Sequence, residues 1–289
     1  MLLRVRHVTS YAYGRPVDMA THMLHLTPRA LPHQRVISHR LDSTPAPARI
    51  THGEDHFGNG VAWMFLDDPH ARFEVVARAV VDVSFPAPPP VEATRPWEEV
   101  AALAPREPQA AEFTFDSPMV AASAVARDFA APSFPPGRPI LAGLLDLNAR
   151  FRKEFRFRSG VTTIATPVEE VLRRREGVCQ DYSHVMLAGL RSLGLPARYV
   201  SGYLRTYPPP GQTKRQGADM SHAWVGAWMG PGLGWIDLDP TNDLVVHEEH
   251  VVLGWGRDFG DVSPLRGVIL GGGRHTLEVG VDLEPVEEE

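Results

Sequence analysis

One cysteine stands in 289 residues, and its setting limits what it can do. Cys179 opens a predicted helix in the run Gly177-Val178-Cys179-Gln180-Asp181-Tyr182. A lone thiol forms no intramolecular disulfide and is too few for a cysteine-rich metal site. It is therefore either a buried small hydrophobe or a nucleophile. Backbone N–H groups at a helix N-terminus stabilise a thiolate and can hold an oxyanion, which favours the nucleophile. Such a thiol needs a proton acceptor, and the imidazole of His222, in Ser221-His222-Ala223-Trp224, is suited to that task. The imidazole in turn needs a carboxylate to fix its tautomer and stabilise its charge. Asp239 lies 17 residues further on, at the end of the strand that follows. If the two strands pair antiparallel, the start of one lies beside the end of the other, at the edge facing the helix tip. Asp237 is the rival carboxylate, since it shares the strand face of Asp239.

The neighbouring residues take supporting roles. Asp181 is placed to satisfy free N–H groups in the first helical turn, and Gln180 to line the cleft. Trp224 and Asp237 are expected to touch substrate or brace the catalytic side chains. His184 is five residues beyond Cys179, and at 3.6 residues per turn it falls off the nucleophile's face. A Cys179/His184/His222 zinc site is the competing constellation, but it lacks the usual short ligand pair. His7, His22 and His25 read as surface histidines. No acidic loop has calcium-site spacing. The chain is thus expected to carry no metal and no cofactor.

The elements that must position these groups follow from hydrophobic period. Residues 1–85 predict strands at Leu3–Val5, Arg35–Leu41, Val61–Leu66 and Phe73–Val83, with turn chemistry from His52 to Gly60. That is a β-rich, sandwich-like unit. Residues 86–118 are proline-rich, with one helical piece from Trp97 to Leu103, and predict a stiff, extended linker. Residues 119–289 change period. Helices are predicted over Met119–Ala130, Ile140–Phe155, Val168–Arg175 and Cys179–Leu193. Strands follow at Ala197–Arg205, Ala223–Trp228, Trp235–Leu238, Gly267–Leu270 and Thr276–Leu283, all assigned to one catalytic domain. The fold class is α+β. The loop Pro208–Gly217 leads into the His222 strand and is expected to gate the acceptor side of the cleft.

Composition narrows the function classes. Hydrophobic residues at 43% and charged residues at 22% fit a globular chain. A net charge of -6, without a basic patch, argues against a nucleic-acid partner. The densest basic run, Arg173-Arg174-Arg175, reads as the solvated face of a helix. No stretch approaches the roughly 18 apolar residues of a membrane span, and Met1–His7 lacks signal-peptide features. A free thiol without disulfides fits a reducing compartment. A cytoplasmic location with no membrane partner is expected.

Four blocks then stand in a recognisable order: Gly-Val-Cys-Gln-Asp from Gly177, Leu-Gly-Leu-Pro-Ala-Arg-Tyr-Val-Ser-Gly-Tyr from Leu193, Ser-His-Ala-Trp-Val from Ser221, and Gly-Trp-Ile-Asp-Leu-Asp-Pro-Thr-Asn from Gly234. The chain resembles the transglutaminase-like superfamily, in particular its bacterial cysteine-peptidase subgroup with an N-terminal β domain. The resemblance implies a papain-like core in which a helix bearing the nucleophile packs on an antiparallel sheet. It also implies acyl-thioester chemistry on peptide, protein or amide substrates, with Cys179, His222 and Asp239 as the triad; Asp239 is preferred over Asp237 chiefly on this ground. Bacterial relatives are often found with ATP-grasp-like companion proteins, so such a partner is implied too. Animal members carry Trp directly after the nucleophile, where this chain has Gln180, and they need calcium. The superfamily includes transglutaminases, peptidases and inactive scaffolds. A cysteine peptidase or amidase, or a binding module with an idle triad, are therefore the alternatives to a transferase.

Overall fold

The computed structural model describes residues 1–207, 216–217 and 219–286. Its first part is a sheet built on one very long strand. β1 (Leu2–Leu24) is joined by β2 (Gln34–Thr44), β3 (Arg49–Glu54), β4 (Gly60–Leu66) and β5 (His70–Val83) in the order β2-β5-β1-β4-β3. Alternation sets the faces: Leu3, Val5, His7 and Thr9 point inward while Arg4 points out. The register of β1 against β5 breaks between Ala12 and Val17, and from Ala20 onward β1 pairs with β4. Val17, Ala20 and Leu24 then pack with Met64, Leu66, Phe73 and Val75 in one core. β1 thus spans both halves of a single antiparallel sheet, so the first part is β-rich as expected from sequence.

The segment 86–118 departs from the expectation of an extended linker. It holds α1 (Trp97–Leu103) and α2 (Pro108–Ala111) among single 3-10 turns. Val100, Ala104, Ala110 and Phe113 are buried in the core of the following unit. Pro96 and Pro108 sit at the first turns of these helices, where a missing N–H costs nothing. The prolines start helices here instead of holding the chain extended.

The helical layer continues with α3 (Ala124–Ala130), α4 (Ile140–Glu154), α5 (Val168–Arg174) and α6 (Cys179–Ser192). Two short strands, β6 (Arg156–Phe157) and β7 (Glu176–Gly177), pair in parallel beside the tip of α6. Every residue of α6 from Asp181 to Arg191 is buried, so this helix is enclosed by the core and does not lie on its surface. It packs on an antiparallel sheet of β8 (Ala197–Leu204), β9 (Met220–Trp228), β10 (Trp235–Asp239), β11 (Leu244–Val245) and β12 (His250–Gly256), in the order β11-β10-β9-β8-β12.

The last two strands correct the assignment of residues 119–289 to a single catalytic unit. β13 (Leu265–Gly271) and β14 (His275–Pro285) both pair antiparallel with β1, β14 along Leu3–Tyr13 and β13 along Val17–Leu24. They cover what would otherwise be an open edge of β1. The two sheets also share a core, because Tyr203, Val251 and Leu253 pack against Leu3, Val5, Val81 and Leu283. Gln34, fully buried, binds both backbone groups of Val252 and so stitches β2 to β12.

Candidate active site

α6 begins at Cys179, the thiol being half-buried. What fixes this tip is Asp181. Its Oδ2 accepts the Val178 N–H at 2.8 Å and the Thr162 hydroxyl at 2.7 Å. One orphan donor of the helix start is thereby satisfied. Burial raises the Asp181 pKa, and these two donors oppose the rise. Gly177 is required by the same packing, since a Cβ there would stand 2.7 Å from Asp181 Oδ2. Gln180 lines a small cavity of about 270 Å³ with Thr162, Thr163 and Ile164, beside the helix tip.

β9 and β10 pair antiparallel with Leu238 opposite Val225 and Asp237 opposite Gly226, the hairpin expected from sequence. His222 at the start of β9 and Asp239 at the end of β10 are thereby adjacent and buried. His222 Nε2 lies 2.8 Å from Asp239 Oδ2. A carboxylate only accepts, so Nε2 carries the proton and Nδ1 is left for other work. Nδ1 is buried without a further hydrogen-bond partner. Cys179 is near enough to act on the imidazole through charge. Burial opposes a charged imidazole, but Asp239 and Cys179 outweigh it and raise the His222 pKa to about 10.

Asp239 is fully enclosed and saturated with donors. Its Oδ1 accepts the N–H groups of Thr241 and Asn242 at 2.9 and 3.2 Å, an Asx turn built by Asp-Pro-Thr-Asn. Its Oδ2 accepts the Asn242 amide at 2.7 Å and, at 3.4 Å, Nε2 of His250. Burial pushes the carboxyl up, yet His222, His250 and Asn242 together hold it well below the usual carboxylate range. Asp237 is occupied elsewhere: Trp224 Nε1 donates to it at 3.0 Å and Arg198 pairs with it at 3.6 Å. Of the two carboxylates, Asp239 is the one bonded to His222.

His250 has no counterpart in the sequence reading. It is completely buried, edge-on to Trp224 with ring centres 5.4 Å apart. Its Nδ1 accepts the His247 N–H at 3.5 Å, which leaves Nε2 as the donor to Asp239. Burial lowers its pKa, against the pull of Asp239. A neutral His250 is a second, uncharged donor behind the carboxylate. His184 lies off the site: its Nε2 accepts the Phe259 N–H at 3.2 Å, and burial lowers its pKa to about 4. His7, His22 and His25 are buried, not on the surface; His7 binds the Tyr203 hydroxyl at 2.8 Å and His22 stacks on Phe73. Residues 208–215, the body of the expected gating loop, lie outside the described residues. Among the described residues no group of three or more His, Cys, Asp or Glu side chains could hold a metal ion, and no helix is long and apolar enough to cross a membrane.

Comparison with known proteins agrees with this arrangement at the level of family. Residues 130–240 match the transglutaminase-like superfamily and residues 3–82 the bacterial transglutaminase-like N-terminal region. An uncharacterized protein of Mycobacterium tuberculosis is 42% identical over 292 residues, covering 98% of this chain and 93% of that protein. The chain belongs to the transglutaminase-like superfamily. A solved structure of a candidate cysteine protease from Cytophaga hutchinsonii superposes with a TM-score of 0.76 at 19% identity, over 100% of this chain and 92% of that one; at that identity the likeness is one of fold. A shorter stretch of 68 residues, 23% of this transglutaminase-like chain and 10% of the other, is 40% identical to a protein-glutamine gamma-glutamyltransferase of Pseudomonas aeruginosa.

Proposed function

We propose that this protein is a cysteine-dependent acyl-transfer enzyme acting on carboxamide or peptide bonds, with Cys179 as nucleophile, His222 as its proton partner and Asp239 as the orienting carboxylate. The observation that carries this reading is the 2.8 Å bond from His222 Nε2 to Asp239, which leaves the other ring nitrogen available to Cys179. With the proton on the imidazole, the sulfur is a thiolate at the positive end of α6. It attacks the carbonyl carbon and the C–N bond breaks. The departing amine takes the proton from His222 Nδ1, and an acyl-thioester remains on Cys179. Water or a second amine then gives its proton to His222, attacks the thioester and releases the thiolate. Water yields hydrolysis; an amine yields transamidation. The Cys179 backbone N–H is one donor to the oxyanion.

The test is mass spectrometry of a glutamine-containing peptide library incubated with the protein, with and without a primary amine. Deamidated, cleaved or amine-coupled products are expected from the wild type. Cys179→Ala should lose them by a factor of roughly a thousand or more while unfolding at the same denaturant concentration. Undiminished turnover in that variant would end the nucleophile assignment. Absence of any product, together with slow iodoacetamide labelling of Cys179 near pH 6, would leave a binding module on the same fold.

A further inference from the structure

A sizeable cleft lies away from Cys179. A cavity of about 730 Å³ opens between the N-terminal sheet, the segment after Phe85, and the outer ends of β10 and β12. Cys179, His222 and Asp239 do not line it. Its size is that of a small-molecule or side-chain site, and its walls include the rings of Phe57, Phe85, Phe113, Trp235 and Trp255.

Two arginines are built into these walls. The guanidinium carbon of Arg29 lies 3.6 Å from the Trp255 ring centre and that of Arg198 lies 3.8 Å from it. Arg198 is also 4.4 Å from the Trp235 ring. Stacking of this kind fixes a guanidinium while leaving its N–H edge free to bind. The arginines are short of acceptors. Arg29 donates to the neutral Asn59 Oδ1 at 2.7 Å. Arg198 has Asp237 at 3.6 Å, beyond the roughly 2.7–2.9 Å of a charge-assisted hydrogen bond. Arg198 Nε and His33 Nε2 are buried without partners. The other lining carboxylate, Glu112, is paired with His56 at 2.9 Å. Asp237 acts on Arg198 through charge, and Asp55 and Glu54 act on Arg29 from outside the cleft lining, so burial of the two guanidiniums is only partly offset. Burial lowers the Arg198 pKa to about 10, against the pull of Asp237. An anion brought into the cleft would relieve that cost.

The frame is rigid where it matters. Asn59 bonds Asp55 Oδ2 at 2.7 Å and the Trp255 carbonyl at 2.8 Å, while its Oδ1 accepts the Trp255 N–H at 3.0 Å. The N-terminal turn thereby holds the indole on which both arginines stack.

We propose that this interdomain cleft binds an organic carboxylate with an aromatic or branched apolar body, the anion on Arg29 and Arg198 and the body against Trp235, Trp255 and Phe85. Such a group is the carboxylate of a small aromatic acid or the C-terminus of a peptide ending in an apolar residue. The site is separate from the proposed triad and does not depend on it.

Calorimetric titration of the full-length protein, wild type and Cys179→Ala, with N-acetylphenylalanine and with its C-terminal amide tests the assignment. Trp235 and Trp255 supply a fluorescence signal for the same event. The acid should bind roughly tenfold or more tightly than the amide. Arg29→Gln should remove that preference while leaving the iodoacetamide rate of Cys179 unchanged; Arg198→Gln should do the same if the variant folds. A pentapeptide ending in Phe that binds more tightly than N-acetylphenylalanine identifies the peptide C-terminus as the source, and equal binding identifies the small acid. Equal affinity for acid and amide, no binding of either at millimolar concentration, or a preference that survives Arg29→Gln would overturn the proposal.

Discussion

At the residue scale, the hydrogen bonds divide the labour between two carboxylates that sequence alone leaves in competition. Asp239 serves His222, whereas Asp237 serves Trp224 and Arg198. Asp239→Asn should lower kcat/KM by a factor on the order of a hundred to ten thousand, because the amide cannot hold the imidazolium or its tautomer. Asp237→Asn should cost mainly stability, about 1–3 kcal/mol for a half-satisfied buried Trp224 N–H and a weakened ion pair. Parallel rate and denaturation measurements decide, and the reverse pattern would exchange the two roles. The pH dependence follows from His222. Its pKa of about 10 lies above the ordinary 6.5, so the fold favours the protonated ring. The stability it contributes is complete below pH 6.5 and is lost as pH rises through about 10. Activity that needs the imidazolium as acid should fall along the same limb. In Asp239→Asn that limb should move to lower pH, since the carboxylate helps to raise it; an unmoved limb would detach His222 from the chemistry. His250 was out of reach of such reasoning. In His247-Glu248-Glu249-His250 it reads as one more polar turn residue, and only the pairing of β12 with β8 carries it under Asp239.

At the element scale, what was legible was local and what was not was pairing. α4, α5 and α6 stand within a residue or so of their expected limits, because apolar period, Pro167 and Gly194 mark them in the chain itself. The β9–β10 hairpin was readable for the same reason. β12 was not: its register shifts between Val252 and Gly254, and a bulge erases the alternation that announces a strand. The helices after Phe85 were hidden by prolines that start turns as readily as they extend a chain. The tip of α6 offers a test of how an element sets chemistry. Asp181→Ala would free the Val178 N–H and the Thr162 hydroxyl that now hold the start of the helix. A loss of about 1 kcal/mol is expected, measured by urea denaturation. The iodoacetamide rate of Cys179 should change by more than that of Thr162→Val, which removes one donor and leaves the cap. Identical rates in wild type and Asp181→Ala would show that the cap does not position the thiol.

At the scale of the whole molecule, the chain crosses and recrosses between its two sheets. β1 opens the sequence and receives β13 and β14 from its far end, so the seven-stranded sheet is not complete in the first 85 residues, and the last 171 carry two strands that pair outside them. Alternating residues in β13 and β14 show that they are strands, but a strand's partner is a non-local fact that alternation does not encode. The consequence is thermodynamic. Deleting residues 1–118 would strip both C-terminal strands of their pairing, expose Tyr203, Val251 and Leu253, and remove Gln34 from Val252. It would also take Val100, Ala104 and Phe113 out of the core around α6. Each large apolar side chain uncovered costs about 1.5–3 kcal/mol, against a total stability of roughly 5–15 kcal/mol for a domain. The fragment 119–289 should therefore fail to fold cooperatively. The full chain should unfold in one transition, with circular dichroism, which reports both large sheets, coinciding with tryptophan fluorescence, which reports chiefly Trp228 and Trp235 in the core around α6 and Trp224 on the other face of the five-stranded sheet. Trp63 alone of the six tryptophans lies in the first 85 residues. A soluble 119–289 fragment with the iodoacetamide reactivity of the whole protein would show that the N-terminal sheet is an appendage rather than part of one folding unit.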